Sequence, residues 1–194
     1  MRCLIKKQIT GSSNSIIMKN VLLLLVSTIL SQFAVAQYKP VDNGSSIEFT
    51  VKHFGIKTSG SFSGLQGSII FDNNLLNDSK FDVSIDANSI KTGIDLRDNH
   101  LRGEGYFEVT KYPRIHFVST KITSAEKGDA LLVSGQLTIK NHTKEISFPF
   151  TVAPTGNGYL FKGSFNISRK DFEVGSSGVI SDNVDLLVSI SATK

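Results

Sequence analysis

The sequence predicts an all-β fold: an antiparallel eight-stranded barrel with a short helix in the 94–104 connection. Three observations carry this. Apolar and polar residues alternate with period two in segment after segment, and short turn-rich stretches separate those segments. One stretch, Asp95 to Arg102, breaks the alternation and contains no Gly or Pro, which suits one or two helical turns.

The N-terminus reads as a targeting segment. Met18-Lys19-Asn20 precedes the uncharged apolar run from Val21 to Leu30, and Ala34 and Ala36 form an A-x-A arrangement. A charged start, a short apolar run and small residues before a cleavage point describe a secretory signal peptide, expected to span residues 1–36. The run is shorter than the ~20 residues a membrane-spanning helix needs. Met18 itself opens a compact signal peptide and is a candidate true start. Cleavage after Ala36 removes Cys3, the only cysteine, together with Arg2, Lys6, Lys7 and Lys19. The remaining 37–194 form one expected domain, periplasmic or secreted and soluble once the signal is removed. It carries 17 basic and 17 acidic residues, so the precursor's positive charge gives it no footprint for nucleic acid.

The strands follow in order. Ile47, Phe49 and Val51 alternate with polar residues in IEFTVKH. A second candidate lies near Ser59–Phe71, and Phe81, Val83, Ile85 and Ala87 share one face of FDVSIDA. Arg114–Thr123 and Ala130–Lys140 supply the fourth and fifth. Ile146, Phe148, Phe150 and Val152 align in the sixth, with Pro149 on the other face; lacking an N–H, Pro149 marks an edge or a bulge. Tyr159, Phe161, Phe165 and Ile167 align in the seventh, and Val184, Leu186, Val188, Ile190 and Ala192 in the eighth. Turn signals at 72–74, 126–129, 141–142 and 155–158 favour hairpins and therefore antiparallel pairing. A sheet with one apolar face closes on itself at eight strands, with room for side chains or one small ligand. A two-sheet sandwich is the alternative.

The inward faces are rich in phenylalanine, with 12 of the 13 lying beyond the signal segment. The expected lining runs through Phe49 and Val51, Phe62, then Phe81, Val83 and Ile85. It continues through Phe107 and Phe117, Phe148 and Phe150, Phe161 and Phe165, and ends at Leu186 and Val188. Gly135 and Gly163 lie on the same faces and would leave space. The same pattern also describes a simply packed core.

Sites of known chemistry are absent from the sequence. His53, His100, His116 and His142 are never three or four apart, and no metal motif, nucleophile elbow or phosphate loop appears. No metal and no cofactor is expected. His116 falls on the polar face of its strand. The one unusual cluster is LRDNHLRGEGYF, residues 96–107. Three readings stand: a charged helix closing one barrel end, with Asp98 and Arg102 paired at i,i+4; a polar lip gripping a ligand head group; or an acid–base pair of Asp98 and His100.

Residues 89–117, SIKTGIDLRDNHLRGEGYFEVTKYPRIHF, resemble the signature of the YceI-like family. The matching positions are Ser89, Ile90, Thr92, Gly93, Arg97, Asp98, His100, Leu101, Phe107, Tyr112, Pro113, Ile115 and Phe117. Three further stretches are similar to that family: VKHFGIKTSGSFSGLQGSIIFD, VSGQLTIKNHTKEISFPF and FNISRKDFEVG. The sequence departs from the pattern at 103–107, at Asn141 and at Glu173, where the family usually has Gly at the last two. The resemblance implies a secreted, lipocalin-like barrel holding a long-chain isoprenoid or other amphipathic lipid in an apolar tunnel, as carrier or buffer rather than enzyme. Arg97, His100 and Arg102 are then the head-group candidates. The rivals are an enzyme acting on a lipid head group through Asp98 and His100, and an interaction module with a filled barrel. An exposed edge strand would support a homodimer.

Overall fold

The computed structural model describes residues 36–194 other than 126, 127, 129 and 177. Apart from Ala36, the expected signal segment therefore lies outside the described residues.

Eight strands form, all where alternation places them and most of them longer: β1 Gln37–His53, β2 Ile56–Ile70, β3 Lys80–Lys91, β4 Arg114–Ser124, β5 Leu131–Ile139, β6 His142–Thr155, β7 Gly158–Ser168 and β8 Ile180–Thr193. Helix α1, Asp95–Arg102, connects β3 to β4, and 3₁₀ turns occupy Leu76–Asp78 and Arg169–Phe172. Each strand pairs antiparallel with its sequence neighbours, and β8 returns to β1. The result is a closed barrel, so the sandwich alternative falls. Among the described residues every strand has a partner on each side, so the sheet has no full-length edge strand; the β6–β7 ladder stops at Phe150↔Gly163 and leaves only short stretches unpaired on one side.

Register sets which side chains meet inside. Phe49 lies opposite Leu186, and Val51 opposite Val184, across the β1–β8 seam. Val83 lies opposite Phe117, and Phe117 opposite Leu137. Because the side-chain period is two, this register sends every odd residue from 47 to 53 inward. Pro149 sits where the β6–β7 ladder stops, since that ladder runs only from Thr155↔Gly158 to Phe150↔Gly163. Its missing N–H costs no bond there. Side groups continue the wall instead: Phe148 stacks on Phe165 with ring centroids 4.1 Å apart.

The two ends of the barrel differ. One is closed by the 71–79 connection, the β4–β5 and β6–β7 turns and the C-terminus. The other carries the β1–β2 hairpin tip, α1, the 103–113 connection, the β5–β6 turn and the described residues between β7 and β8. At the closed end Tyr38, Ile69, Phe71, Phe81, Ile122, Val133, Phe150 and Phe161 are buried together. Their rings meet edge to face: Phe71 with Tyr159 and Phe161 at 5.2 and 5.3 Å, and Phe81 with Phe161 and Phe150 at 5.3 and 5.5 Å. Such pairs contribute ~0.5–1.5 kcal/mol each beyond the area they bury.

Candidate functional site

Towards the other end the axis is hollow. A cavity of about 450 Å³ opens there, within the ~300–1,000 Å³ range of small-molecule sites. Phe49, Val51, Phe62, Val83, Ile85, Phe107, Phe117, Phe148, Phe165, Leu186 and Val188 line it, as their alternation places them. Phe81, Phe150 and Phe161 do not. They share the strand faces of the lining residues but sit lower in the barrel, where they fill the axis and leave a void of only about 60 Å³. Alternation identifies a face and carries no information about height along the axis. A barrel filled from end to end is therefore excluded, and so is a tunnel open from end to end.

The strand glycines do not supply the space. A Cβ on Gly135 would lie 2.6 Å from the Phe117 ring, and one on Gly163 would lie 3.2 Å from that of Phe148. Gly60 takes the Phe49 ring in the same way, at 2.4 Å. Rings lie flat on the wall over these glycines. The close approach keeps Phe49, Phe117 and Phe148 off the axis, which is an indirect way of leaving the centre empty.

At the mouth, α1 presents a polar cluster. Asp98 is buried at 3 % exposure. Its Oδ1 accepts from the Thr92 backbone N–H at 2.8 Å and from the Thr92 hydroxyl. The Thr92 hydroxyl bond holds the Asp98 carboxyl below the usual carboxylate range; burial opposes it, while the Thr92 N–H and the charges of Arg102 and Arg97 act with it. Arg97 Nε donates to Thr92 Oγ1 at 2.7 Å and Nη2 to Thr92 O at 2.8 Å. This anchors the stem of Arg97 and leaves Nη1 with no hydrogen-bond partner among the described residues. His100 is exposed, packs edge-on against Tyr106 at 4.9 Å, and joins Arg97 in lining the cavity.

Arg102 departs from its expected roles. Its guanidinium turns back onto β3, donating to Asn88 O at 2.8 Å, Ile90 O at 2.9 Å and Asn99 Oδ1 at 2.9 Å. It makes no ion pair with Asp98 and does not line the cavity; it ties the helix to the wall. Nor do Asp98 and His100 form a dyad. No hydrogen bond joins them, and the carboxylate is engaged by Thr92, so the geometry shows no acid–base pair. His116 is on the outer face as its alternation places it, with Nε2 2.6 Å from Asp82 Oδ1. No cluster of three metal-ligating side chains exists among the described residues.

Several lining residues escaped the expected set. Ile47, Ile115, Ile146, Ile167 and Ile190 lie on the same strand faces as those named, and alternation alone would have included them. Tyr106, Phe172 and Val174 come from irregular segments, where no period points inward. Arg169 is the other omission. It is 5 % exposed, and its guanidinium donates to the carbonyls of Val174, Gly175, Ile180 and Ser181 and pairs with Asp182 at 3.2 Å. Two carbonyls of the β7–β8 connection and two from the start of β8 converge on one cation, which pins Val174, Gly175, Ile180 and Ser181 beside the mouth.

Comparison with known proteins gives a consistent picture. The YceI-like domain matches residues 38–192. A UPF0312 protein of Yersinia pestis (strain Pestoides F) is 34% identical over 169 residues, covering 82% of this chain and 87% of the relative. Among solved structures, Burkholderia cenocepacia BcnA superposes with a TM-score of 0.71 at 26% identity, covering 77% of this chain and 96% of that one. A Saccharophagus degradans domain, described as polyisoprenoid binding and implicated in plant cell wall breakdown, shares the fold: TM-score 0.64, 18% identity, 82% and 98% coverage.

Proposed function

The chain belongs to the YceI-like family, and from that premise we propose that it is a periplasmic or secreted lipid-binding protein. It holds a long-chain isoprenoid-like amphiphile in its barrel as a carrier or buffer. The observation that carries this reading is the apolar cavity, closed at one end by aromatic rings and edged at the other by Arg97 and His100. The shared fold of a domain described as polyisoprenoid binding supports it.

The physical case is direct. Each methylene moved from water into such a cavity contributes ~0.8 kcal/mol, so a hydrocarbon tail binds without many hydrogen bonds. At about 450 Å³ the cavity has room for part of a long hydrocarbon tail. The rest of a longer tail extends through the mouth. A polar or anionic head group meets Arg97 Nη1 and His100 there, and the anchored guanidinium offers a phosphate head its fixed positive charge and the N–H donors of Nη1.

The test is to express the protein in a bacterium that exports it and examine it by native mass spectrometry and organic extraction. A bound long-chain amphiphile, reduced in Arg97→Ala but retained in Arg102→Ala, is the expected result. Protein that is always ligand-free and takes up no long-chain lipid when offered it would overturn the reading.

A further inference from the structure

The β1–β2 hairpin projects past β3, while on its other side β8 follows β1 to His53↔Ile180 and the Phe54 N–H donates to Val179 O at 3.0 Å. Its own register continues to His53↔Ile56, whereas β3 reaches β2 no further than Ser61↔Lys91. At its tip Phe54 is 71 % and Ile56 72 % exposed. On the helix side of the same mouth, Leu96 is 82 % and Ile94 54 % exposed. Large apolar side chains thus rim the opening of an apolar cavity, where water gains nothing from them.

The tip is also built at a cost. Its two turn residues, Phe54 and Gly55, have φ of 49° and 78°. A two-residue turn with both φ positive favours Asn-Gly, and a bulky residue in the left-handed region is strained. Burial offsets little of that strain, since the Phe54 side chain is mostly exposed and among the described residues its ring meets only that of His53, at 4.7 Å; its backbone N–H is held by Val179 O. Behind the tip, Lys52 and Lys57 lie directly opposite each other. Like charges so placed destabilise a hairpin, and among the described residues no ion pair relieves either lysine. From Phe49 to Phe71 these two lysines are the only charged residues.

We infer that this rim docks on an anionic phospholipid bilayer surface. Phe54, Ile56 and Leu96 enter the boundary between head groups and acyl tails, and Lys52 and Lys57 meet the anionic head groups. The hairpin tip, apolar and flanked by two cations, suits an interface that is apolar below and negative above, while on the helix side Ile94 and Leu96 flank the exposed Asp95. A second copy of the protein suits it less, because a two-fold contact would set one lysine pair against the other. Docking brings the cavity mouth to the membrane, so an amphiphile passes between them without crossing water. The inference goes beyond lipid binding in the cavity and is tested apart from it, on vesicles containing no isoprenoid.

The sequence has no tryptophan, so Phe54→Trp in the full-length protein installs a lone fluorescent reporter. With vesicles of phosphatidylethanolamine and phosphatidylglycerol, its emission should shift to the blue and be quenched by brominated acyl tails. An Asn157→Trp reporter, in the turn at the closed end, should show neither. Adding Lys52→Glu and Lys57→Glu to Phe54→Trp should weaken vesicle association roughly tenfold or more, and pure phosphatidylcholine should give a similarly weak response. An unchanged Phe54→Trp spectrum with anionic vesicles, or equal quenching of both reporters, overturns the inference. So does concentration-dependent self-association that Ile56→Ser abolishes in a protein with no vesicle response, which would assign the rim to a second copy.

Discussion

The closed and open ends of the barrel are built from the same eight strands with the same alternation, yet one is solid and the other hollow. At the closed end, interlocking rings leave a void of about 60 Å³; at the open end about 450 Å³ is unfilled. Backbone strain divides the same way. Among the described residues, the four non-glycine residues with left-handed backbone, Phe54, Glu108, Lys140 and Glu173, all lie in connections at the open end. The closed end supplies stability, and the open end is where the fold accepts cost. Strain and unfilled space collect where a ligand is handled.

Truncation should break the symmetry of the two halves most strongly. Phe71 is 2 % exposed and makes two edge-to-face ring contacts. Phe71→Ala should cost about 3–5 kcal/mol, the usual range for emptying a packed aromatic site. Leu186→Ala removes a side chain that already borders empty space, and should cost nearer ~1–2 kcal/mol because fewer contacts are lost. Urea unfolding midpoints of both variants measure the contrast. Equal losses would mean that the open half is packed in solution.

Enlargement sharpens the comparison from the other side. Val133 is fully buried at 0 % exposure. Val133→Phe overpacks the closed end and should cost about 1–3 kcal/mol. Leu186→Phe enters the cavity and should cost less than about 1 kcal/mol while displacing part of any bound lipid. Stability from urea melts and ligand recovery by extraction should then move in opposite proportions in the two variants.

What alternation revealed, and what it did not, follows the same division. Strand identity and facing were legible because period two is a local property: Phe49, Val51, Leu186 and Val188 all face the axis. Height along the axis depends on register with strands distant in sequence, so Phe81, Phe150 and Phe161 could not be told from true lining residues. Gly135 and Gly163 misled for a related reason. A glycine in a strand signals close approach, but the approaching group is a ring from the adjacent strand rather than a ligand. In LRDNHLR the side chains were visible and their directions were not. Arg97 and Arg102 both look available in sequence, and only the helix phase relative to β3 separates the mouth residue from the tether.

Acid should loosen the open end before the closed one. The folded-state carboxyl of Asp98 is held low by the Thr92 hydroxyl, below its ordinary value near 3.8. A depressed carboxylate contributes stability above the unfolded value and loses it as pH falls through the folded one. No change is therefore expected from neutral pH down to about 5. Below about 4, protection at Thr92 and in α1, measured relative to the intrinsic exchange rate at each pH, should fall while the amides of β5 keep theirs. Asp98→Asn should raise exchange in α1 at neutral pH and remove its acid dependence. A uniform loss of protection over both ends would show that the ends do not open separately.

The smallest expected effect concerns a single backbone conformation. Glu173 follows the 3₁₀ turn Arg169–Phe172 with φ 51° and ψ 41°, and its N–H is bonded to Arg169 O and Lys170 O. The left-handed conformation is therefore required to end that turn and bring Val174 and Gly175 back to Arg169. A glutamate there loses roughly 1 kcal/mol relative to glycine. Its side chain recovers little, since it is exposed and reaches His142 only at 3.4 Å. The bond from Lys140 Nζ goes to the Glu173 backbone carbonyl and survives substitution. Glu173→Gly should thus stabilise the fold by about 0.5 kcal/mol, the relieved strain being partly offset by the greater freedom of glycine in the unfolded state. A closed-end turn such as Asn157 has no left-handed residue to relieve, so Asn157→Gly should give no gain. A loss of stability in Glu173→Gly would mean that its side chain, not the backbone, holds the connection beside the mouth.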